Sequence, residues 1–242
     1  MSVLIQGGVT FGPTRIPVIQ SGLLLDLDAG NLSSYPGSGS VWTDLSGNGN
    51  TTTLVNSPTF ASTIGGELLF NHSNQYATVN NNAMFNINTI TMSITAKHTF
   101  ITQYSGQVQQ LINKTSSSGY AIRMNYGDNL MIEGAVWTGA AYQTAGMLIP
   151  GILTTNKWYH YTMTYNGTNI KFFWNGVLQA TTAATGTITT NAEILSIGAK
   201  NTAGVVSNYF DGSVGEVQVY NRGLTDGEVL YNFNAHKTRY QF

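Results

Sequence analysis

The stretch WTDLSGNGNTTTL, Trp42 to Leu54, places oxygen-bearing side chains at alternate positions, Asp44, Ser46 and Asn48, ahead of Gly49. That spacing is the first half of a loop that wraps a hard cation such as calcium, which takes about six to eight oxygen ligands. The helix-loop-helix form of such a site needs a bidentate glutamate at its twelfth position. Here that position is Val55, and no helical pattern flanks the loop. A phosphate cradle is excluded as well, because the Gly-Lys-Ser/Thr ending is missing. Two readings remain. One is a turn whose Asp and Asn side chains bond their own backbone. The other is a rim calcium site built from Asp44, Asn48 and Asn50, with Glu216 brought in from the last strand.

Glycoside hydrolysis needs two carboxyl groups, about 5 Å apart in retaining enzymes and wider in inverting ones. The five glutamates, Glu67, Glu133, Glu193, Glu216 and Glu228, each stand alone. Asp26 and Asp28 share a strand face in the opening segment. Glu133, in LMIEGAVW beside Trp137, is the carboxylate with no structural role evident from its neighbours. The four histidines, His72, His98, His160 and His236, form no His-x-His or His-Glu-x-x-His pair, so a zinc pattern is absent. No Gly-x-Ser-x-Gly elbow marks a nucleophilic serine. Four aromatics lie beside turns: Tyr120, Tyr126, Trp137 and Tyr142. An aromatic plane accepts the C–H face of a sugar ring, and neutral amides pair its hydroxyls. The segment Val136–Gly146, VWTGAAYQTAG, has the Gly and Ala content of a mobile loop carrying two of these aromatics. The plainer reading is a hairpin loop whose aromatics are packed.

These residues sit in a chain of 242 residues of which only 9% are charged, against roughly 25% in ordinary soluble domains. The net charge of −1 offers no basic field for phosphates, which argues against nucleic acid and anionic membranes. There is no cysteine, so neither disulfides nor thiolate metal sites exist. No window approaches the roughly 20 apolar residues of a membrane span. The N-terminus lacks the charged leader and apolar run of a signal peptide, which predicts synthesis in the cytoplasm without one. Asn-x-Ser/Thr triplets at Asn31, Asn50, Asn71, Asn113 and Asn166 then read as chance in an Asn- and Thr-rich chain.

The elements that must position these groups are β. Short runs such as Leu23–Asp28, Glu67–Phe70, Gln75–Val79 and Ile90–Phe100 alternate with Gly, Asn and Ser punctuation, the rhythm of a sandwich or barrel. Asn166-Gly167 and Asn175-Gly176 divide three β-rich runs and predict hairpin turns with positive φ. The run IKFFW is apolar at consecutive positions, which predicts a strand covered on both faces, one by the other sheet and one by something else. Trp158, Phe172 and Phe173 read as core aromatics. One helix is predicted in LTDGEVLYNFNAHK: Thr225 caps it, Glu228 completes a capping box, and Leu224 and Val229 form a hydrophobic staple. Residues 1–20 carry Gly7, Gly8, Gly12, Pro13 and Pro17 between apolar pairs, a pattern that holds neither helix nor central strand. They read as an arm that packs on its own domain or stays disordered, or as one that docks on a partner subunit.

The segment WYHYTMTYNGTNIKFFWNGVLQATT resembles the Trp-x-His, hairpin and Asn-Gly segment of laminin-G-like, concanavalin A-like domains. YFDGSVGEVQVYNRGLTDGEVLYNFNAHKTRY, Tyr209–Tyr240, resembles that family's closing signature. LLLDLDAGN and WTDLSGNGN resemble its opening strand and first loop. The closing segment is also similar to C-termini of bacteriophage tail and virion proteins. The resemblance implies an all-β fold, a jelly-roll sandwich of two antiparallel sheets over residues 21–242, with an N-terminal arm at 1–20 and a short C-terminal helix. Some members bind calcium at the rim, many bind glycans or proteins, and some are glycanases. One departure stands out: where many relatives carry Ile-Asp-Glu-Val, this chain has Val214-Gly215-Glu216-Val217.

The expectation is a non-enzymatic bacteriophage virion structural protein of fibre, tail or capsid-decoration type. It would be displayed on the particle for glycan or host-surface contact through Tyr120, Tyr126, Trp137 and Tyr142. Residues 1–20 would join it to other virion proteins, and it would form a homo-oligomer. The alternatives are a glycan-active hydrolase of the same superfamily and an assembly subunit with no ligand.

Overall fold

A computed structural model describes residues 16–79, 83–100, 107–125, 130–139, 142–149 and 151–242. Two eight-stranded antiparallel sheets make up the body. The first runs in the order Val177–Ala183, Asn169–Trp174, Trp158–Tyr165, Ile90–His98, Asp211–Tyr220, Glu67–Asn71 and Thr59–Ala61. The strand Leu23–Asp28 shares one edge of Asp211–Tyr220 with Glu67–Asn71: it pairs Leu23 to Asp28 with Tyr220 to Glu216, while Leu68 to Asn71 pair with Val214 to Asp211. The second sheet runs Tyr142–Leu148, Met131–Trp137, Gly119–Asn125, Val108–Thr115, Ser196–Ile197, Tyr76–Val79, Thr52–Val55 and Val41–Trp42. A small hairpin, Lys200–Thr202 with Val205–Ser207, completes the β structure of the described residues. This is the expected two-sheet antiparallel sandwich.

The core forms because the strands alternate with period two. Met92, Ile94 and Ala96, Tyr161 and Met163, and Val217 and Val219 turn inward from the first sheet. Ile122 and Met124, Ile132 and Val136, and Leu54 and Ala77 meet them from the second. Fully burying such a side chain contributes about 1.5–3 kcal/mol, which suits a chain without disulfides. The helix Asp226–Tyr240 closes the outer face of the first sheet, and it covers the second face of IKFFW. Phe172 points into the main core, whereas Phe173 joins a second cluster with Val18, Leu23, Tyr220, Leu224 and Val229. Val18 is buried there, and Ile19 N donates to Asn232 Oδ1 at 2.9 Å. The packed chain therefore includes Val18 and Ile19, while residues 1–15 of the predicted arm lie outside the described residues.

The capping box is present: Thr225 Oγ1 accepts from Glu228 N, and Glu228 Oε2 accepts from Thr225 N at 2.9 Å. The helix runs three residues past the predicted Lys237, to Tyr240, because Arg239 and Tyr240 find partners on the sheet. Of the two Asn-Gly pairs, Asn175-Gly176 forms the expected two-residue turn, with φ of 50° and 75°. At Asn166-Gly167 the loop is longer. Asn166 Oδ1 accepts from Thr168 N and Asn169 N, so the side chain shapes the turn instead. Trp158, expected in the core, faces outward, half-buried between Lys97 and Tyr240.

Candidate functional site

The segment Val136–Gly146, read from composition as a mobile loop, is mostly strand. Met131–Trp137 pairs along its length with Tyr142–Leu148, and Trp137 stands directly opposite Tyr142. Ile132 and Val136 face the core. Gly134 shares that face because a side chain there would collide with Met163. Glu133, Ala135 and Trp137 must then point outward, and the register places Arg123 beside Glu133 on the same face. The Trp137 and Tyr142 rings meet edge to face, with centroids 5.2 Å apart and planes at 80°. Both are half-buried. The Arg123 guanidinium lies 5.5 Å from the centroid of the Tyr142 ring, and its Nε donates to Glu133 Oε1 at 2.8 Å. The result is an edge hairpin bearing an aromatic pair with an ion pair at its foot.

This arrangement suits contact more than bond cleavage. The electron-rich faces of the two rings attract polarised C–H groups and cations, and Arg123 adds donors. Glu133 is buried and held by Arg123. Several other described carboxylates have their partners away from this face: Asp44 in its turn, Asp28 and Glu216 with Arg239, Glu67 with Lys97, Glu193 with Ala203 N, Asp226 with Lys171 and Glu228 with Arg222.

Tyr120 is not part of this face. It pairs with Val136, on the inward row, is 2% exposed, and donates its hydroxyl to Phe85 O at 3.0 Å. Burial pushes its phenol well above the usual range. One position along the neighbouring strand separates inward from outward, which composition near a turn does not reveal. Tyr126 lies outside the described residues. Of the four predicted aromatics, the structure brings Trp137 and Tyr142 together.

The opening turn gathers Asp44, Asn48 and Asn50 but not Glu216. Asp44 Oδ1 accepts from Asp26 N at 3.0 Å and Ser46 N at 2.9 Å, and Oδ2 from Ser46 Oγ at 2.7 Å and Asn50 N at 3.0 Å. Asn48 and Asn50 turn their Nδ2 groups toward Leu23 O and Leu24 O. The carboxylate thus organises backbone, and the amides present donors to strand carbonyls. Such a set does not fit calcium, which needs about six to eight oxygens free to coordinate it. Among the described residues, no group of three or more His, Asp or Glu side chains is placed to hold a metal ion.

With the fold and these groups in view, comparison with known proteins is decisive for the family. Residues 71–230 match a laminin-G-type model described as the concanavalin A-like lectin/glucanases superfamily. The chain belongs to that superfamily. No curated protein sequence matches it. Among solved structures, the binding domain of botulinum neurotoxin serotype D superposes with a TM-score of 0.69 at 17% identity, over 90% of this chain and 52% of that one. The binding domain of botulinum neurotoxin DC in complex with SialylT gives 0.68 at 14% identity, over 89% and 52%. The binding domain of Paraclostridial mosquitocidal protein 1 gives 0.69 at 16%, over 90% and 53%. At such identities the likeness is one of fold, and this chain spans about half the length of each.

The superfamily departure at Gly215 has a local cause: Tyr240 packs against it, and a side chain there would run into the Tyr240 ring. The neighbouring Glu216 is fully buried beneath the helix. Arg239 Nη1 donates to Glu216 Oε1 at 2.8 Å and to Asp28 Oδ2 at 2.7 Å, and His236 Nδ1 meets the other oxygen of Glu216. Its hydrogen bonds to Asp28 and the nearby carboxylate charges hold Arg239 above the ordinary arginine value, against the opposing effect of burial. His160 is the buried, hydrogen-bonded residue expected from its motif, with Nδ1 at 3.0 Å from Thr95 Oγ1 and Nε2 at 3.2 Å from Thr162 Oγ1. Burial, with His236 beside it, lowers its pKa to about 3. Sequence reading did not find this network. Its only signal is a period-two row of polar residues, Asp26 and Asp28, Ser93 and Thr95, His160 and Thr162, Glu216 and Gln218, which a solvent-facing sheet would show equally.

Proposed function

We propose that this chain is a non-enzymatic structural protein of a bacteriophage virion. Its lectin-like domain is displayed for contact with cell-surface glycans through Trp137 and Tyr142, and residues 1–20 dock it on other virion proteins in a homo-oligomeric assembly. The observation that carries the contact reading is the outward, half-buried Trp137–Tyr142 pair on an edge hairpin, with the nearest carboxylate already neutralised by Arg123. The virion reading is supported by the resemblance of Tyr209–Tyr240 to phage tail and virion C-termini, and by a weakly charged, cysteine-free exterior. The SialylT bound to the neurotoxin DC domain is a property of that longer protein.

A glycan array probed with the full chain tests the contact reading. Reproducible binding that Trp137→Ala removes supports it; binding that survives the substitution refutes the assignment of the pair. Glu133, buried on the same face, motivates the competing hydrolase reading. Reducing-sugar release from polysaccharides that Glu133→Gln abolishes would replace the binding function with an enzymatic one. For the docking segment, deletion of residues 1–15 spares Val18 and Ile19. It should leave the fold intact and block incorporation into particles; normal incorporation rules the segment out as anchor.

A further inference from the structure

A cavity of about 370 Å³, lined by both polar and apolar surface, opens where the hairpin of Trp158–Tyr165 and Asn169–Trp174 meets the start of the C-terminal helix. Its wall includes Thr164, Asn166, Asn169, Lys171, Thr225 and Asp226. The volume lies within the roughly 300–1,000 Å³ of small-ligand pockets. Thr164 and Lys171 stand opposite each other on neighbouring strands, and both face outward because Met163 and Tyr165 fill the core side.

The chemistry of the wall selects its ligand. Lys171 Nζ and Asp226 Oδ1 are 2.7 Å apart, so a cation and an anion sit side by side with no net charge. Asp226 already occupies the first helical turn, where a negative charge answers the helix dipole, and so disfavours a bound anion. Asn166 Oδ1 is used by its own turn, which leaves Nδ2 without a partner among the described residues. Thr164 is only 4% exposed, lines the cavity, and its hydroxyl has no partner among the described residues. That hydroxyl opens to the cavity, where an entering ligand can pair with it. Donors at Lys171 and Asn166, acceptors at Asp226 and Asn169, and a hydroxyl that serves as either match neighbouring hydroxyls of a neutral sugar, each of which donates once and accepts once.

The cavity is also tied to the aromatic pair. Gly186 N donates to Gly167 O at 3.1 Å and Tyr165 Oη donates to Gly186 O at 2.6 Å, while Thr189 N donates to Trp137 O at 2.8 Å. One short loop therefore links the cavity rim to the strand end that carries Trp137. We infer that this cavity is a second saccharide subsite, taking an uncharged sugar residue through Thr164, Asn166, Lys171 and Asp226. The inference rests on the glycan reading above and adds a site to it.

The test is an NMR titration of the isotope-labelled full chain with the methyl glycosides of glucose, galactose, mannose and N-acetylglucosamine. The expected result is saturable shifts at Asn166, Asn169, Lys171 and Asp226 with at least one of the four. Thr164→Val should weaken that binding roughly three- to tenfold, the worth of one hydrogen bond. Asp226→Asn, at a half-exposed position away from the core, should weaken it by a similar factor and serves if the first variant folds poorly. Shifts at Trp137 and Tyr142 alone overturn the cavity site and leave the aromatic contact standing. Shifts in the cavity alone, weakened by either variant, uphold the cavity and overturn the aromatic pair. Cavity shifts that neither variant weakens overturn the assignment, and shifts at neither place overturn both.

Discussion

The outer faces of the two sheets obey the same rule and end differently. Both belong to strands whose alternate residues fill one core. On the first sheet the outward row is Asp28, Ser93, Thr95, His160, Thr162 and Glu216, and the C-terminal helix closes over it with Arg239 and His236. On the second, the edge hairpin leaves Trp137 and Tyr142 uncovered by any helix, with Arg123 and Glu133 beneath. On the contact reading proposed above, richness in titratable groups does not locate function here. The part of the first face beneath the helix, which holds most of the charges, is an anchor, and the hairpin with few charges and two rings is the contact surface proposed above.

The comparison breaks most visibly at Arg239. Arg239→Met removes the cation from two fully buried carboxylates, Asp28 and Glu216. Breaking a buried pair from one side typically costs about 3–5 kcal/mol. Thermal or urea unfolding should show that loss, together with early protease cleavage of the helix. The matching change on the other face, Arg123→Met, leaves one buried carboxylate, Glu133, without its cation rather than two, and should cost less, about 1–3 kcal/mol. Equal losses would erase the distinction between the faces.

Acid sharpens it next. His98 and His160 are both buried, and burial lowers each to about pKa 3. The unfolded chain binds protons at these residues near pH 6.5, so the folded state binds fewer protons between about pH 6.5 and 3. Stability must fall as pH drops through that window, by roughly 1–2 kcal/mol per histidine at pH 5. Urea midpoints at pH 7 and pH 5 measure it, and His98→Asn should reduce the slope.

Trp137→Ala should do the opposite of Arg239→Met. It should change the unfolding midpoint little while weakening glycan binding about tenfold or more, as loss of a contact aromatic does. The smallest effect is expected at the opening turn. Because Asp44 is committed to backbone donors, a chelator should leave the melting midpoint unchanged, whereas a bound ion would raise it by linkage. A chelator-induced drop would restore the calcium reading.

Much of this was legible beforehand. The strands at Leu23–Asp28, Glu67–Asn71 and Ile90–His98, the Thr225–Glu228 box and the both-face burial of IKFFW all followed from local pattern. Residues split between faces were not legible. Tyr120 and Trp137 look alike beside their turns, but register sends one inward and the other out. Composition also pointed to a loop at Val136–Gly146, whose residues pair as strand across the hairpin. The anchor under the helix was invisible for the same reason: a polar row on a strand does not say what lies above it.

The most direct measurement is the calorimetric affinity of the intact chain, Trp137→Ala and Tyr120→Phe for the strongest glycan from the array. Affinity lost in the first variant and retained in the second is the predicted result. Equal affinities for all three proteins would contradict the assignment of the open hairpin as the contact surface.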